Sequence, residues 1–223
     1  MPKHIDRKGL KEDAFVDSIL GLVNWIKSHR VECLRFSVLS IVILVCAVGW
    51  IKHTKGKKLT VSNNLFQIMS LYQAPNVEAH ERALEICQNT IAEYADDKSI
   101  DGIMFYEGNL LYRLDRFEES MNVFQLFLEK YPQHEFYEII ESNLAKAYEE
   151  LKEYEKSEKV LEGILQKTKD EYIEPNVLLD LARIQGLLGN YEKARKTYDS
   201  ISRDYAGTEY ADIAKSHKDF LEL

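Results

Sequence analysis

Hydrophobic positions follow three different rhythms along this chain. From residue 64 onward they recur three and four apart, broken by short polar stretches, as in amphipathic helices packed in pairs. Between Phe36 and Ile51 the rhythm vanishes: FSVLSIVILVCAVGWI is 16 residues without a charge and apolar on every helical face. Ahead of that run, Phe15, Ile19, Leu22, Val23 and Ile26 share one helical face, and Asp17, Gly21, Asn24 and Ser28 lie opposite. The expected fold class is all-α.

The apolar run reads as a membrane span. Its 16 residues reach about 24 Å as a helix, but Cys33 to Lys52 reach about 30 Å, the thickness of a hydrocarbon core. Arg35 and Lys52 stand at the borders, where long cationic stems extend to headgroups, and Trp50 occupies the far border that suits an amphipathic ring. The 35 preceding residues are too many for the n-region of a signal peptide, and Ala47-Val48-Gly49-Trp50 is a poor cleavage site. The amphipathic stretch before the span, followed by Trp25, Lys27, His29 and Arg30, suits a helix lying in the membrane interface.

Beyond the span one spacing recurs. With repeat starts at Asn64, Asp101, Glu138 and Pro175, 37 residues apart, slot 17 holds His80, Phe117, Tyr154 and Tyr191. Slot 8 holds Leu71, Gly108, Ala145 and Ala182, and slot 20 holds Ala83, Ser120, Ser157 and Ala194. Slot 24 holds Cys87, Phe124, Leu161 and Tyr198; slot 27 holds Thr90, Phe127, Ile164 and Ile201. Small residues at slots 8 and 20 let two antiparallel helices approach, and the slot 17 aromatic opens the second helix. Slots 24 and 27 share its buried face. A fixed period of this size predicts a solenoid. Pro132 and Gly189-Asn190 mark breaks, and Tyr210 to Leu221 reads as a capping helix.

Composition divides the chain the same way. The net charge of −8 combines 11 Lys+Arg against 5 Asp+Glu in residues 1–58 with 18 against 32 in the remainder. Ten Gly and four Pro disfavour an all-β sandwich, and three Cys exclude a disulfide scaffold. The expected organisation is a basic segment with an interfacial helix (1–35), a transmembrane helix (36–51) and a basic linker or helix extension (52–63). Four repeats (64–208) and a C-terminal capping helix (209–223) follow.

The best repeat stretches are 106–132, 143–165 and 181–201. They carry Gly108, Phe117, Ser120, Phe124 and Pro132, then Leu144, Ala145, Tyr148, Tyr154 and Ser157. The last carries Leu181, Ala182, Gly189, Tyr191, Ala194 and Tyr198. They resemble the tetratricopeptide repeat, although the period exceeds the family's by three residues and Met104 stands in the slot of the consensus Trp. The resemblance implies a solenoid that binds protein segments in a groove lined by the first helix of each repeat. The groove residues are then Phe105, Asn109 and Tyr112, next Ser142, Asn143, Lys146 and Glu149, and last Asn176, Leu179 and Arg183. Family members that grip a C-terminal carboxylate do so with two Asn and three cations. Here Asn109 and Asn143 fill the Asn slots, but Phe105, Asn176 and Asp180 stand in the cationic ones, so that grip is not expected.

Catalytic chemistry is not expected either. Gly56-Lys57-Lys58 lacks the rest of a phosphate loop, and the six His are dispersed with no metal-ligand spacing. Cys87 reads as core filler. No cofactor, metal, nucleic acid or small-molecule substrate is expected; the partners expected are other proteins and the membrane.

The basic segment, the Gly49-Trp50 exit and the tail from Asp204 to Ala211 resemble the YfgM-like ancillary subunits of the Sec translocon. That resemblance implies a bacterial inner-membrane protein with its N-terminus cytoplasmic and a periplasmic array, linking translocation to chaperones or clients. Two alternatives stand beside it: a scaffold subunit of a flagellar-motor, secretion or pilus assembly, and a cytosol-facing membrane receptor.

Overall fold

The computed structural model describes residues 7–95, 97, 99–168 and 173–220, and no strand occurs among them. The first six residues of the basic segment and residues 221–223 of the expected capping helix lie outside the described residues. The chain divides into two compact units, Met1–Gly56 and Lys57–Leu223.

In the first unit, α1 (Arg7–Ser28) and the start of α2 (Arg30–Tyr72) are parted only by His29. Ser28 Oγ donates to the Trp25 carbonyl at 2.8 Å, and the Trp25 and His29 rings stack 4.8 Å apart. Ile19, Leu22, Val23 and Ile26 are exposed on α1, as are the large apolar residues of α2 from Phe36 to Ile51. Helix α2 begins before the charge-free run and continues past it, so residues 52–63 are helical.

Among its described residues the second unit contains the end of α2 and eight further helices. They are α3 (Val77–Tyr94), α4 (Ile100–Arg113), α5 (Phe117–Lys130), α6 (Tyr137–Glu150), α7 (Tyr154–Lys167), α8 (Glu174–Leu187), α9 (Tyr191–Asp204) and α10 (Glu209–Phe220). Each packs on its neighbour in sequence, from α3 to α10, and α4 meets α6 as α8 meets α10. Contacts stay local, as in a solenoid.

The 37-residue period is visible in the backbone. Helices α5, α7 and α9 open on Phe117, Tyr154 and Tyr191, each 37 residues after the last. The turns before them hold Asp115, Lys152 and Gly189 in the left-handed region, at φ 57°, 60° and 76°. After each, an N–H bonds back five residues: Arg116 to Leu111 O at 2.9 Å, Glu153 to Tyr148 O and Asn190 to Gln185 O at 2.8 Å. This is a Schellman closure, which satisfies carbonyls left over at the end of the first helix.

The first repeat departs from the rule. His80 was expected to open its second helix, but α3 begins at Val77. There Asn76 caps the helix, its Oδ1 accepting from Ala79 N at 2.7 Å, so a side chain rather than the recurrent turn sets the start.

Buried residues form three successive clusters. The first runs from Val61 and Ile68 through Cys87, Ile103, Phe124 and Phe127 to Tyr148. The second joins Ala145, Leu161, Ile164 and Val177, and the third joins Ala182, Ala194, Tyr198, Ile201 and Ala214. Burial pushes the Cys87 thiol up, as befits core filler. Ala211 and Ala214 turn inward on α10 while Asp212 and Lys215 are exposed, the division of faces a capping helix needs.

Candidate functional site

The first helices of three repeats, α4, α6 and α8, carry the ten residues expected in the groove. Nine are partly buried and Asn176 is exposed. A cavity of about 190 Å³ is lined by Asn109, Tyr112, Phe124, Asn143 and Lys146. A second, of about 170 Å³, is lined by Ile139, Ser142, Asn143, Lys146, Ile173, Asn176 and Val177. Asn143 and Lys146 belong to both, so α6 contributes to each cavity.

Polar side chains link one repeat to the next. Asn143 Nδ2 donates to Asn109 Oδ1 at 3.1 Å, while Asn109 Nδ2 donates to the Phe105 carbonyl at 2.7 Å. Lys146 Nζ lies 3.9 Å from Asp180 Oδ2, and Arg183 pairs with both Glu149 and Asp180. Asn176 Nδ2 donates to the Tyr210 hydroxyl at 3.2 Å. The pairs Asn109–Asn143, Lys146–Asp180, Glu149–Arg183 and Asn176–Tyr210 each span 34 residues. Neighbouring first helices therefore meet three residues, about one turn, away from strict repeat equivalence.

Burial decides the electrostatics. Tyr112 donates to Glu150 at 3.1 Å, and burial, then the Glu150 charge, pushes its hydroxyl up to about 12. Burial likewise raises the Asp180 carboxyl, opposed by the Lys146 charge, and lowers the Arg183 guanidinium.

Two of the expected residues are turned partly to the core. Phe105 lies edge-on to Tyr106 and 5.9 Å from Phe136, and Leu179 packs on the cluster around Ala194 and Tyr198. The pairing of Asp180 and Glu150 with groove residues was missed in the sequence. Neither follows from the 37-residue spacing: Asp180 lies 34 residues after Lys146, and Glu150 lies 38 after Tyr112. Among the described residues no group of three His, Cys, Asp or Glu is placed to hold a metal ion.

A tetratricopeptide-repeat family model matches residues 103–134 and 176–208. No curated protein sequence matches the chain. Among solved structures, a tetratricopeptide repeat protein from Parabacteroides merdae superposes with a TM-score of 0.60 at 15% identity, covering 74% of this chain and 60% of that one. The present chain thus spans less than two thirds of that neighbour. The near-identical tetratricopeptide-like repeats of a Podosopora anserina kinesin light chain give 0.58 at 14% identity, covering 73% and 90%. A double mutant of MamA RS-1 gives 0.53 at 14% identity, covering 71% and 83%. At these identities the likeness is one of fold. Two segments of the chain thus match the tetratricopeptide repeat, and its described helices form an α-solenoid like those of the tetratricopeptide structures.

Proposed function

We propose that this protein is a membrane-tethered scaffold whose repeat array binds segments of other proteins in the groove of α4, α6 and α8. The observation that carries the tether is α2: it is long and apolar enough to cross a membrane, and none of its most apolar window is buried. A soluble core helix of that composition would be covered. Two hydroxyls along it are satisfied within the helix, Ser40 donating to the Phe36 carbonyl at 2.8 Å and Thr54 to that of Trp50 at 3.0 Å, as suits a lipid environment. Helix α1, with Ile19, Leu22, Val23 and Ile26 exposed, lies along the interface in this reading.

The specific form of the proposal is an adaptor of the bacterial inner membrane, N-terminus cytoplasmic and array periplasmic, linking the Sec translocon to chaperones or clients. It is supported by the resemblance of the Gly49-Trp50 exit and the Asp204 to Ala211 tail. A fusion at Leu223 to a reporter active only outside the cytoplasm tests the topology; a silent fusion defeats the periplasmic reading. Purification in mild detergent tests the partner. Recovery of motor or secretion components without translocon subunits would replace the adaptor by a scaffold of an envelope machine.

A further inference from the structure

The groove's own charges restrict what can enter it, given that the groove is the binding surface. Lys146 and Arg183 hold the same place in successive repeats and are the two cations of the middle of the groove. Both are already engaged. Arg183 forks between Glu149 and Asp180, with Arg183 Nη2 2.7 Å from Asp180 Oδ1, and Lys146 Nζ approaches the other Asp180 oxygen at 3.9 Å. Asp180 thus sits where a ligand carboxylate would have to sit to meet both cations. Its side chain is only 19% exposed and that of Glu149 17%, so both acids are held in place rather than swinging in solvent.

Acids also outnumber bases. Glu149, Glu150 and Asp180 stand against Lys146 and Arg183, and Glu150 receives the neutral Tyr112 hydroxyl. The two cavities beside them offer Tyr112, Ile139 and Ile173 as apolar surface, over the buried Phe124 and Val177. An entering segment therefore meets partly apolar walls and Lys146, the one charged residue lining both cavities, with Asp180 already set against it and one more acid than base in the surrounding ion pairs. An acidic segment would have to displace Asp180; a basic one would supply the missing counter-charge.

We propose that the groove takes an amphipathic segment whose charged residues are Lys or Arg, and that Asp180 sets this preference by occupying the place of a ligand carboxylate.

The test uses the full chain in detergent and two labelled amphipathic peptides, identical except for Lys in one and Glu in the other. At low salt the Lys peptide should bind about tenfold tighter. Asp180→Asn should narrow that ratio by about threefold or more, chiefly by admitting the Glu peptide. Glu155→Gln, which removes an exposed acid on α7, should leave it unchanged and so controls for the overall acidity of the array. Asn143→Trp, filling both cavities, should abolish binding of either peptide, with Asn109→Trp as the second blocking variant if the first loses its helicity. If blocking abolishes binding but Asp180→Asn leaves the ratio unchanged, the charge assignment is wrong and the groove reading survives. If neither blocking variant affects binding, the groove reading itself fails, and this inference fails with it.

Discussion

Gly108 of α4 lies directly under the ring of Phe124 of α5. A Cβ added at Gly108 would stand 2.8 Å from Phe124 Cδ1 and 2.9 Å from its Cζ, closer than real carbon contacts allow. The two helices are locked at this distance because Phe124 is itself fully buried in the first core cluster. Gly108→Ala should therefore destabilise the fold by about 1–3 kcal/mol through overpacking. Thermal unfolding followed by circular dichroism measures it, and Phe124→Leu in the same chain should recover part of the loss. An unchanged midpoint for Gly108→Ala would mean that the ring moves aside freely.

The same approach is tied by a hydroxyl in two hairpins. Ser120 Oγ donates to the Gly108 carbonyl and Ser157 Oγ to the Ala145 carbonyl, both at 2.8 Å and both buried. The last hairpin has Ala182 and Ala194 at these places, and there Thr197 bonds Gln185 at 3.0 Å instead. Ser120→Ala and Ser157→Ala should each cost about 1 kcal/mol in denaturant unfolding, because a helix carbonyl loses its second hydrogen-bond donor and nothing replaces it. The two losses should add, since they lie in separate hairpins.

Lys152 performs with a side chain what Gly189 performs without one. Both close a first helix in the left-handed region, where a Cβ is disfavoured. Lys152→Gly should stabilise the array by about 0.5–1 kcal/mol, the relief of strain exceeding the entropy that glycine adds to the unfolded chain. Gly189→Ala should have the opposite sign. Urea midpoints of the two variants, compared with the parent, decide it.

Glu107 stands in the repeat slot that Leu144 and Leu181 fill, and burial raises its carboxyl above the ordinary Glu range. Arg116 opposes the rise and Glu119 adds to it. A carboxyl that binds its proton more readily folded than unfolded favours folding at low pH. That contribution is lost as pH rises from the unfolded value through the raised folded one. Glu107→Gln should thus raise the unfolding midpoint at neutral pH by a few degrees, about 1 kcal/mol, and change it little in the acid range where Glu107 is already neutral. An equal gain at both pH values would assign the effect to packing.

Most of the architecture was legible as a one-dimensional pattern. The slots holding Phe117, Tyr154 and Tyr191 start helices, the slots holding Phe124, Leu161 and Tyr198 are buried, and Cys87 lies in the core. Such features depend on each residue's place along its own helix, which the 3.6-residue period and the turn residues state directly. His80 failed as a helix start because Asn76, four residues earlier, supplies a stronger local signal.

What the sequence by itself determined was the repeat: its length, its helix pairs, its small-residue contacts and the uncharged run ahead of it. What only the tertiary structure decided was the meeting of one repeat with the next. Residues 37 apart are equivalent, yet Asn109 meets Asn143, Lys146 meets Asp180 and Glu149 meets Arg183, each 34 apart. The offset arises from how successive helix pairs pack against one another, a relation between surfaces that no single helix's periodicity contains. It is this offset that brings Asp180 between Lys146 and Arg183, and turns Leu179 partly from the groove to the core.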